Sequence, residues 1–356
     1  MLKKYLYLLA TDKKKGVIAE VLRIFLFLLS LIYALAIKIL SSLRQLASSS
    51  LNCKVISVGN ITLGGTGKTS LVQMLAGFLK ANGHKVAILS RGYARSKTQY
   101  AVRKARYEIM GDEPFMLSKN LEDIPVIVNS NRIRAGRQAI SGFGVDTVIL
   151  DDGFQQWSLK KDLNIVTIDS TNPFGNFRLI PRGIMREPIS SLKRADIFVL
   201  TKTNLNPAGV SAKEFLRKIN KKALIVEAVH RPVGFYKLGS ARNEMTGLNE
   251  LSGRKVSLVS GIADPQSFEA LINNIGVISA LSFRFDDHHR YSRRNLKRIM
   301  AESKKQAVSN IVTTEKDAVR FPDIDYQAQG MSCYVLRVDL EVLQHEIFFQ
   351  RINSIY

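Results

Sequence analysis

Apolar positions fall along this chain in two unlike patterns. From Val17 to Leu40 they form an almost unbroken run, with an uncharged core Ile24–Ile37 bounded by Arg23 and Lys38. At about 1.5 Å per helical residue that core reaches about 21 Å, short of the roughly 30 Å hydrocarbon layer unless the flanking cations snorkel. The run is expected to cross a bilayer marginally or to lie in its interface, which makes residues 1–46 an N-terminal membrane anchor. A buried core helix and a signal peptide are the other uses of such a run; the second is disfavoured by its length and by the lack of a small-x-small cleavage site. Beyond residue 50 the pattern changes. Short β-rich runs at Lys85–Ser90, Ile124–Asn129, Val145–Leu150, Asn164–Asp169, Ala195–Thr201 and Ala223–Val229 alternate with helical stretches, as in a parallel sheet covered by helices. A Pro- and Gly-bearing stretch follows, and then a second set at Lys255–Val259, Val277–Phe285, Asn310–Thr313 and Tyr334–Val338. The expected class is α/β, with a first domain over 47–230, a linker over 231–250 and a second, smaller α/β domain over 251–356.

The strand beginning at Val55 runs straight into Gly59-Asn-Ile-Thr-Leu-Gly-Gly-Thr-Gly-Lys-Thr-Ser70, with a helix expected over Leu71–Lys80. A glycine-rich turn between a strand and a helix is a phosphate cradle. The glycines let backbone N–H groups point at phosphate oxygens, Lys68 adds a mobile positive charge, and the Thr69 hydroxyl can ligate Mg²⁺ at the helix N-terminus. Gly64, Gly65, Thr66, Gly67, Lys68, Thr69 and Ser70 are therefore assigned to the phosphates of a nucleotide, which the resemblance given below implies to be ATP, and the first domain reads as a P-loop NTPase-type α/β/α sandwich. The usual spacing would put glycine at position 62, where this chain has Thr62.

Charge narrows the partners without choosing one. The net charge is +22, and residues 1–50 supply only +6 of it, from eight Lys or Arg against Asp12 and Glu20. The folded part is thus strongly basic, which suits nucleic acid, an anionic membrane face or a phosphorylated substrate. With Cys53 and Cys333 as the only cysteines, neither a disulfide framework nor a thiolate metal site is credible.

Further chemistry is carried by short motifs, each open to a plainer reading. Val145–Asp152 has the form of a Walker B strand whose terminal acid holds Mg²⁺, although Asp-Asp-Gly is also ordinary turn chemistry. Ser90-Arg-Gly-Tyr93 closes another strand. In Gly111-Asp-Glu-Pro114, Asp112 and Glu113 fit a base and a metal-site carboxylate, or a helix cap ahead of proline. The arginine-bearing loop Gly175–Pro188 fits an anionic ligand or a solvated surface. Asp286-Asp-His-His289 fits a metal site, an acid–base pair or a surface histidine pair. Thr313–Arg320 is explained by helix capping alone.

Together these motifs resemble one family, the tetraacyldisaccharide 4′-kinases of lipid A synthesis. The likeness runs from the apolar helix through Val58-Gly-Asn60, Gly64–Thr69, Ser90–Tyr93, Gly111–Pro114, Asp151–Gln155, Gly175-Asn176, Arg186-Glu-Pro188 and Asp287-His288 to Thr314–Asp317. It implies transfer of the ATP γ-phosphoryl group to the 4′-hydroxyl of an anionic acylated disaccharide 1-phosphate. It also implies Asp112 as base assisted by His288, Lys68 on the phosphates, and Mg²⁺ held by Thr69 and Asp151 with Asp152 and Glu113 nearby. Arg91, Tyr93, Gln155, Arg178, Arg186 and Glu187 are implied to bind substrate, and closure of the two domains to bring His288 to Asp112. The implied location is the cytoplasmic face of the inner membrane, with no nucleic acid and no obligate protein partner. The chain departs from the family pattern at Ser70, Ala94, Gln156, Phe177 and Ala263; of these only Ser70 is among the residues assigned above, and every proposed metal and proton-transfer residue is intact. A membrane-tethered nucleotide switch and a nucleic-acid binder are the rival readings; the latter lacks a stacking pattern.

Overall fold

The computed structural model describes residues 2–91, 100–102, 110–205, 209–239 and 244–356. In chain order the described elements are α1 (Leu2–Ala10), α2 (Val17–Leu46), β1 (Lys54–Gly59), α3 (Lys68–Ala81), β2 (Val86–Ser90), β3 (Tyr100–Val102), α4 (Asp112–Asn120), β4 (Val126–Val128), α5 (Arg132–Phe143), β5 (Thr147–Asp151), β6 (Leu163–Asp169) and β7 (Ile197–Thr201). They continue with α6 (Gly209–Ile219), β8 (Leu224–Lys237), β9 (Lys255–Ser260), α7 (Pro265–Asn274), β10 (Ile278–Arg284), α8 (Arg293–Lys305), β11 (Asn310–Thr314), α9 (Glu315–Ala318), β12 (Ser332–Val342) and α10 (His345–Asn353). Packing gathers them into two units, neither contiguous: Met1–Arg91 with Ile127–Val229 and Val342–Tyr356, and Gly92–Val126 with His230–Glu341. The stretch 92–126, expected within the first domain, packs with the second unit; α10, expected in the second, packs with the first.

In the first unit the strand order is β8-β7-β6-β1-β5-β2-β4. β1 pairs in parallel with both β5 and β6, and β7 with β6 and β8. β2, β5 and β7 are buried along their whole length, which is why the sequence shows apolar runs here rather than alternation. Val55, Leu89, Ile127, Ala135, Val148 and Leu150 form one core and Ile61, Phe154, Val166, Phe198 and Leu216 another. The register puts Val58 opposite Asp151, so the loop after β1 and the acid ending β5 emerge at the same carboxyl edge, where open α/β sheets bind ligands. α10 closes this unit, with Phe349 stacked on Phe78 of α3 at 3.8 Å and Tyr356 on His84 at 3.9 Å.

α2 is longer than the expected Val17–Leu40 and carries two faces. Ala19, Leu26 and Ser30 are buried, while Val17, Ile24, Phe25, Leu28, Ile32 and Leu35 stand exposed. The inner face is tied to the folded unit along its length. Tyr33 donates to the Arg186 carbonyl at 2.9 Å, Phe27 lies under the Arg178 guanidinium at 5.0 Å, and Arg44 lies over Trp157 at 6.0 Å. Between α1 and α2, Asp12 accepts from Arg182 and Asn176 and pairs with Arg23.

In the second unit β10-β9-β11-β12 are neighbours and parallel. The expected linker is strand as far as Lys237. Pro232 and Gly234 do not break it, because Phe235 and Tyr236 bury their rings and Leu238 N–H bonds the Cys333 carbonyl. α8 buries Leu296, Ile299 and Met300 behind a capping box of Ser292 and Asn295, and turns its arginines and lysines outward.

Candidate active site

The phosphate loop is shaped by what surrounds its ends. A Cβ on Gly59 would fall 2.5 Å from the Phe154 backbone nitrogen, so only glycine lets β1 pass this close to the turn after β5. Inside the loop, the Asn60 amide donates to the Thr62 carbonyl at 2.7 Å, and the Thr66 and Thr167 hydroxyls meet at 2.7 Å. Gly67 caps α3 in the left-handed region, φ +78°. A glycine cap has no side chain to occupy the first-turn amides, and such a helix start suits an anion.

Beside the loop stands a charged cluster. Asp151 is buried at the tip of β5, where Oδ2 accepts from the Ser90 hydroxyl at 3.2 Å and the carbonyl accepts from Arg132 at 3.3 Å. Asp152 sits at φ +53° with Oδ1 2.7 Å from Arg186 Nη1 and 3.6 Å from Lys68 Nζ. Burial alone would raise its pKa; Lys68, Arg186 and Arg132 outweigh burial and hold the carboxyl below its ordinary range. Arg186 also reaches the Asn60 amide oxygen at 3.2 Å. Below this layer, Gln155 bridges the Asn60 carbonyl and Glu187, and Arg194 forks onto both oxygens of the buried Glu187 at 2.8 and 3.0 Å. Gln155 and Glu187 thus brace the loop against the arginine segment. Lys161 donates to the Gly153 and Phe154 carbonyls, with burial, aided by Arg194, pushing its ammonium down to about 7.

These donors fit Mg²⁺ of the nucleotide-assisted kind. A helix-start hydroxyl, Thr69, and a strand-tip carboxylate, Asp151, supply hard oxygens for an ion that takes its other ligands from phosphate and water. Among the described residues no group of three or more His, Cys, Asp or Glu forms an all-protein cage.

The second unit assembles a different cluster. α4 starts after Gly111, φ +89°, with Asp112 and Glu113 in its first turn. Neither serves the capping role open to it in the sequence, since the cap residue is Gly111. Asp112 Oδ2 lies 2.9 Å from His288 Nδ1 and 3.4 Å from Arg320 Nε. Burial would raise the Asp112 pKa; the His288 hydrogen bond and the Arg320 and Lys316 charges override it and draw the carboxyl down. The pair lies within one packed unit, so no domain closure is needed to form it, contrary to the expectation from resemblance. Glu113 pairs with Lys316 at 2.9 Å, and Lys316 also reaches Asp287 at 3.5 Å. Burial would lower the Lys316 pKa, and the two acids more than reverse it. His289, next in sequence, does something else: its ring stacks on Phe285 at 4.4 Å.

Other expected residues are dispersed. Arg91 is exposed at the end of β2, Tyr93 lies outside the described residues, and Arg178 is exposed over Phe27 of the apolar helix. Gln156 bonds the Ser158 hydroxyl at 2.8 Å. Two arginines escaped sequence reasoning. Arg132 stands directly after the Asn131 cap of α5 and looks like any first-turn residue, while Arg320 ends the stretch that capping explained.

The profile of the family described as tetraacyldisaccharide-1-P 4′-kinase, LpxK, matches residues 22–356. A protein of Halothermothrix orenii named tetraacyldisaccharide 4′-kinase is 37% identical, the match covering 96% of this chain and 94% of that one. One of the same name from Elusimicrobium minutum is 36% identical over 90% and 88%. The crystal structure of LpxK from Aquifex aeolicus in complex with ATP superposes with a TM-score of 0.76 at 28% identity, covering 94% of this chain and 99% of that one.

Proposed function

The chain belongs to the tetraacyldisaccharide-1-P 4′-kinase family, and we propose how its residues divide the work. The protein is an ATP-dependent kinase acting on the lipid A disaccharide: the γ-phosphoryl group of ATP moves to the 4′-hydroxyl of tetraacyldisaccharide 1-phosphate. Asp112 takes the hydroxyl proton as the sugar oxygen bonds to phosphorus, and the bond from the γ-phosphorus to the bridging oxygen breaks with its electrons leaving on ADP. His288 orients the carboxylate through its Nδ1 contact and shares the proton. Lys68 and the first-turn amides of α3 hold the β- and γ-phosphates. Thr69 and Asp151 hold Mg²⁺, which when bound neutralises charge on the phosphates. Asp152 keeps Lys68 and Arg186 in place beside them.

The observation that carries this reading is the 2.9 Å Asp112–His288 contact in a chain whose phosphate loop is complete. A nucleotide switch has no need of a carboxylate–imidazole pair, and the family match over residues 22–356 does not favour it. The test is transfer of label from γ-³²P-ATP to purified tetraacyldisaccharide 1-phosphate in detergent micelles, wild type beside Asp112→Asn. Labelled lipid from the wild type and a loss on the order of 10²–10⁴ in the variant is the expected result. ATP hydrolysis retained by both, with no labelled lipid, would overturn it.

The proposed location, the cytoplasmic face of the inner membrane, is supported by α2. Its inner face is fastened to the first unit from Phe27 to Arg44. A helix docked along its length lies in the membrane interface rather than through it, its exposed Ile24, Leu28, Ile32 and Leu35 entering the acyl layer. A kinase held at the membrane surface in this way leaves the substrate's acyl chains in lipid at no extraction cost, a term of about 0.8 kcal/mol per CH₂. Arg178, over Phe27 at that level, is placed to meet the anionic headgroup.

A further inference from the structure

The stretch Thr314–Arg320 has so far been used only for its helix cap, yet it ends in a side chain that almost no water reaches. Arg320 is 2% exposed. Its Nη2 donates to the Gly261 carbonyl at 3.0 Å and to Asp317 Oδ1 at 2.7 Å, its Nη1 to the His289 carbonyl at 3.2 Å, and its Nε to the Lys316 carbonyl at 3.1 Å. The same Nε stands 3.4 Å from Asp112 Oδ2. Two of these acceptors flank the other member of the catalytic pair. Gly261's carbonyl also receives the His288 backbone N–H at 3.2 Å, and His289 is the residue that follows His288. His288 itself holds a left-handed backbone, φ +61°, which a non-glycine residue keeps only where its surroundings enforce it.

We infer that Arg320 is the positioning residue of the Asp112–His288 pair, one guanidinium fixing the carboxylate from below and the histidine's turn from behind. A planar fork with five donors meets all these acceptors at once; an ammonium has three donors from a single point and does not. Asp317, buried beside Arg320, holds the fork in turn and is itself held by the Tyr291 hydroxyl at 2.9 Å and the Gly261 N–H at 3.0 Å. His288 Nδ1 and Arg320 Nε both approach Oδ2, and among the described residues Oδ1 is the oxygen left to face the sugar hydroxyl. Lys316 is the competing candidate, but its contacts go to Glu113 and Asp287.

This inference rests on Asp112 being the base, and the experiment separates the two. Arg320→Lys and Arg320→Met are each made in the wild type and in Asp112→Asn, and kcat and KM for ATP are measured by lipid labelling, with ATP affinity and thermal melting as checks on folding. Arg320→Lys is expected to lower kcat about 10-fold with KM for ATP unchanged, and Arg320→Met further still. In the Asp112→Asn background the Arg320→Lys loss is expected to shrink below about 2-fold, because residues that act through one another are not additive. Equal losses in both backgrounds, equal effects of Lys and Met, or a wild-type kcat in Arg320→Lys would each overturn the inference while leaving the base intact. Full activity in Asp112→Asn alone would instead remove the base, and the inference with it. Should Arg320→Met fail to fold, the Lys variant in the two backgrounds decides.

Discussion

Asp152 and Asp112 are both part-buried carboxylates drawn below their ordinary pKa, and they are held by unlike partners. Asp152 lies between the Lys68 ammonium and the Arg186 guanidinium. Asp112 shares one oxygen between a buried arginine and an imidazole. A carboxylate held between two basic side chains is a strut, and on the proposed assignment it orients Lys68 toward phosphate. A carboxylate beside a histidine has somewhere to send a proton. The contrast fits the proposed division, with the nucleotide gripped in one unit and the proton chemistry carried in the other.

The comparison breaks first at its charged ends. Lys68→Ala should cost on the order of 10²–10³ in labelled lipid, with weakened ATP binding, because phosphate loses its mobile cation and Asp152 a partner; unchanged turnover would remove the phosphate-loop assignment. His288→Ala should lower kcat about 10-fold and leave KM for ATP alone, since Arg320 still holds Asp112. A KM effect without a kcat effect would place the imidazole in nucleotide binding instead. The pH dependence of folding sharpens the likeness between the two acids. Both folded pKa values are depressed, so each contributes stability that is present above the ordinary carboxylate value and is lost as pH falls through the folded one. Denaturant titrations in acid should therefore show a shallower decline for Asp152→Asn and Asp112→Asn than for the wild type; an unchanged slope would mean that neither pair survives in solution. The smallest effect is expected at Tyr33→Phe, which removes the hydrogen bond from α2 to the Arg186 carbonyl. A loss of about 1 kcal/mol in stability, with co-sedimentation on vesicles unchanged, is the expected outcome. Release from vesicles would show that α2 needs its fastening in order to bind.

The two clusters also differ in how far they could be read in advance. The phosphate loop is contiguous, so Gly64–Thr69 and the strand before it announced both the turn and its ligand, and the apolar run announced α2. The proton-transfer cluster is gathered from residues 112–113, 261, 287–289 and 314–320, and no periodicity links them. Resemblance brought Asp112 and His288 together, but assigned their meeting to domain closure, because a reading in chain order places residue 112 with its neighbours 47–230 rather than with the unit it packs in. Arg132 and Arg320 left no trace for a related reason: a buried arginine looks like a surface one until its acceptors are located. Glu187, implied to bind substrate, is bound by Arg194 and Gln155, and its buried fork is invisible to spacing. Strand β8 went unread beyond Val229 because Pro232 and Gly234 resemble a linker while Phe235 and Tyr236 decide otherwise.

The return of α10 to the first unit has a consequence for the order of folding. The unit that contains residues 2–91 also contains 342–356, through Phe349 on Phe78 and Tyr356 on His84. On the ribosome the phosphate-loop unit stays unfinished while residues 230–341 of the second unit are synthesised, and it closes only once residues 342–356 have emerged. Premature termination therefore damages the nucleotide-binding half of the enzyme, the half whose motifs lie farthest from the break.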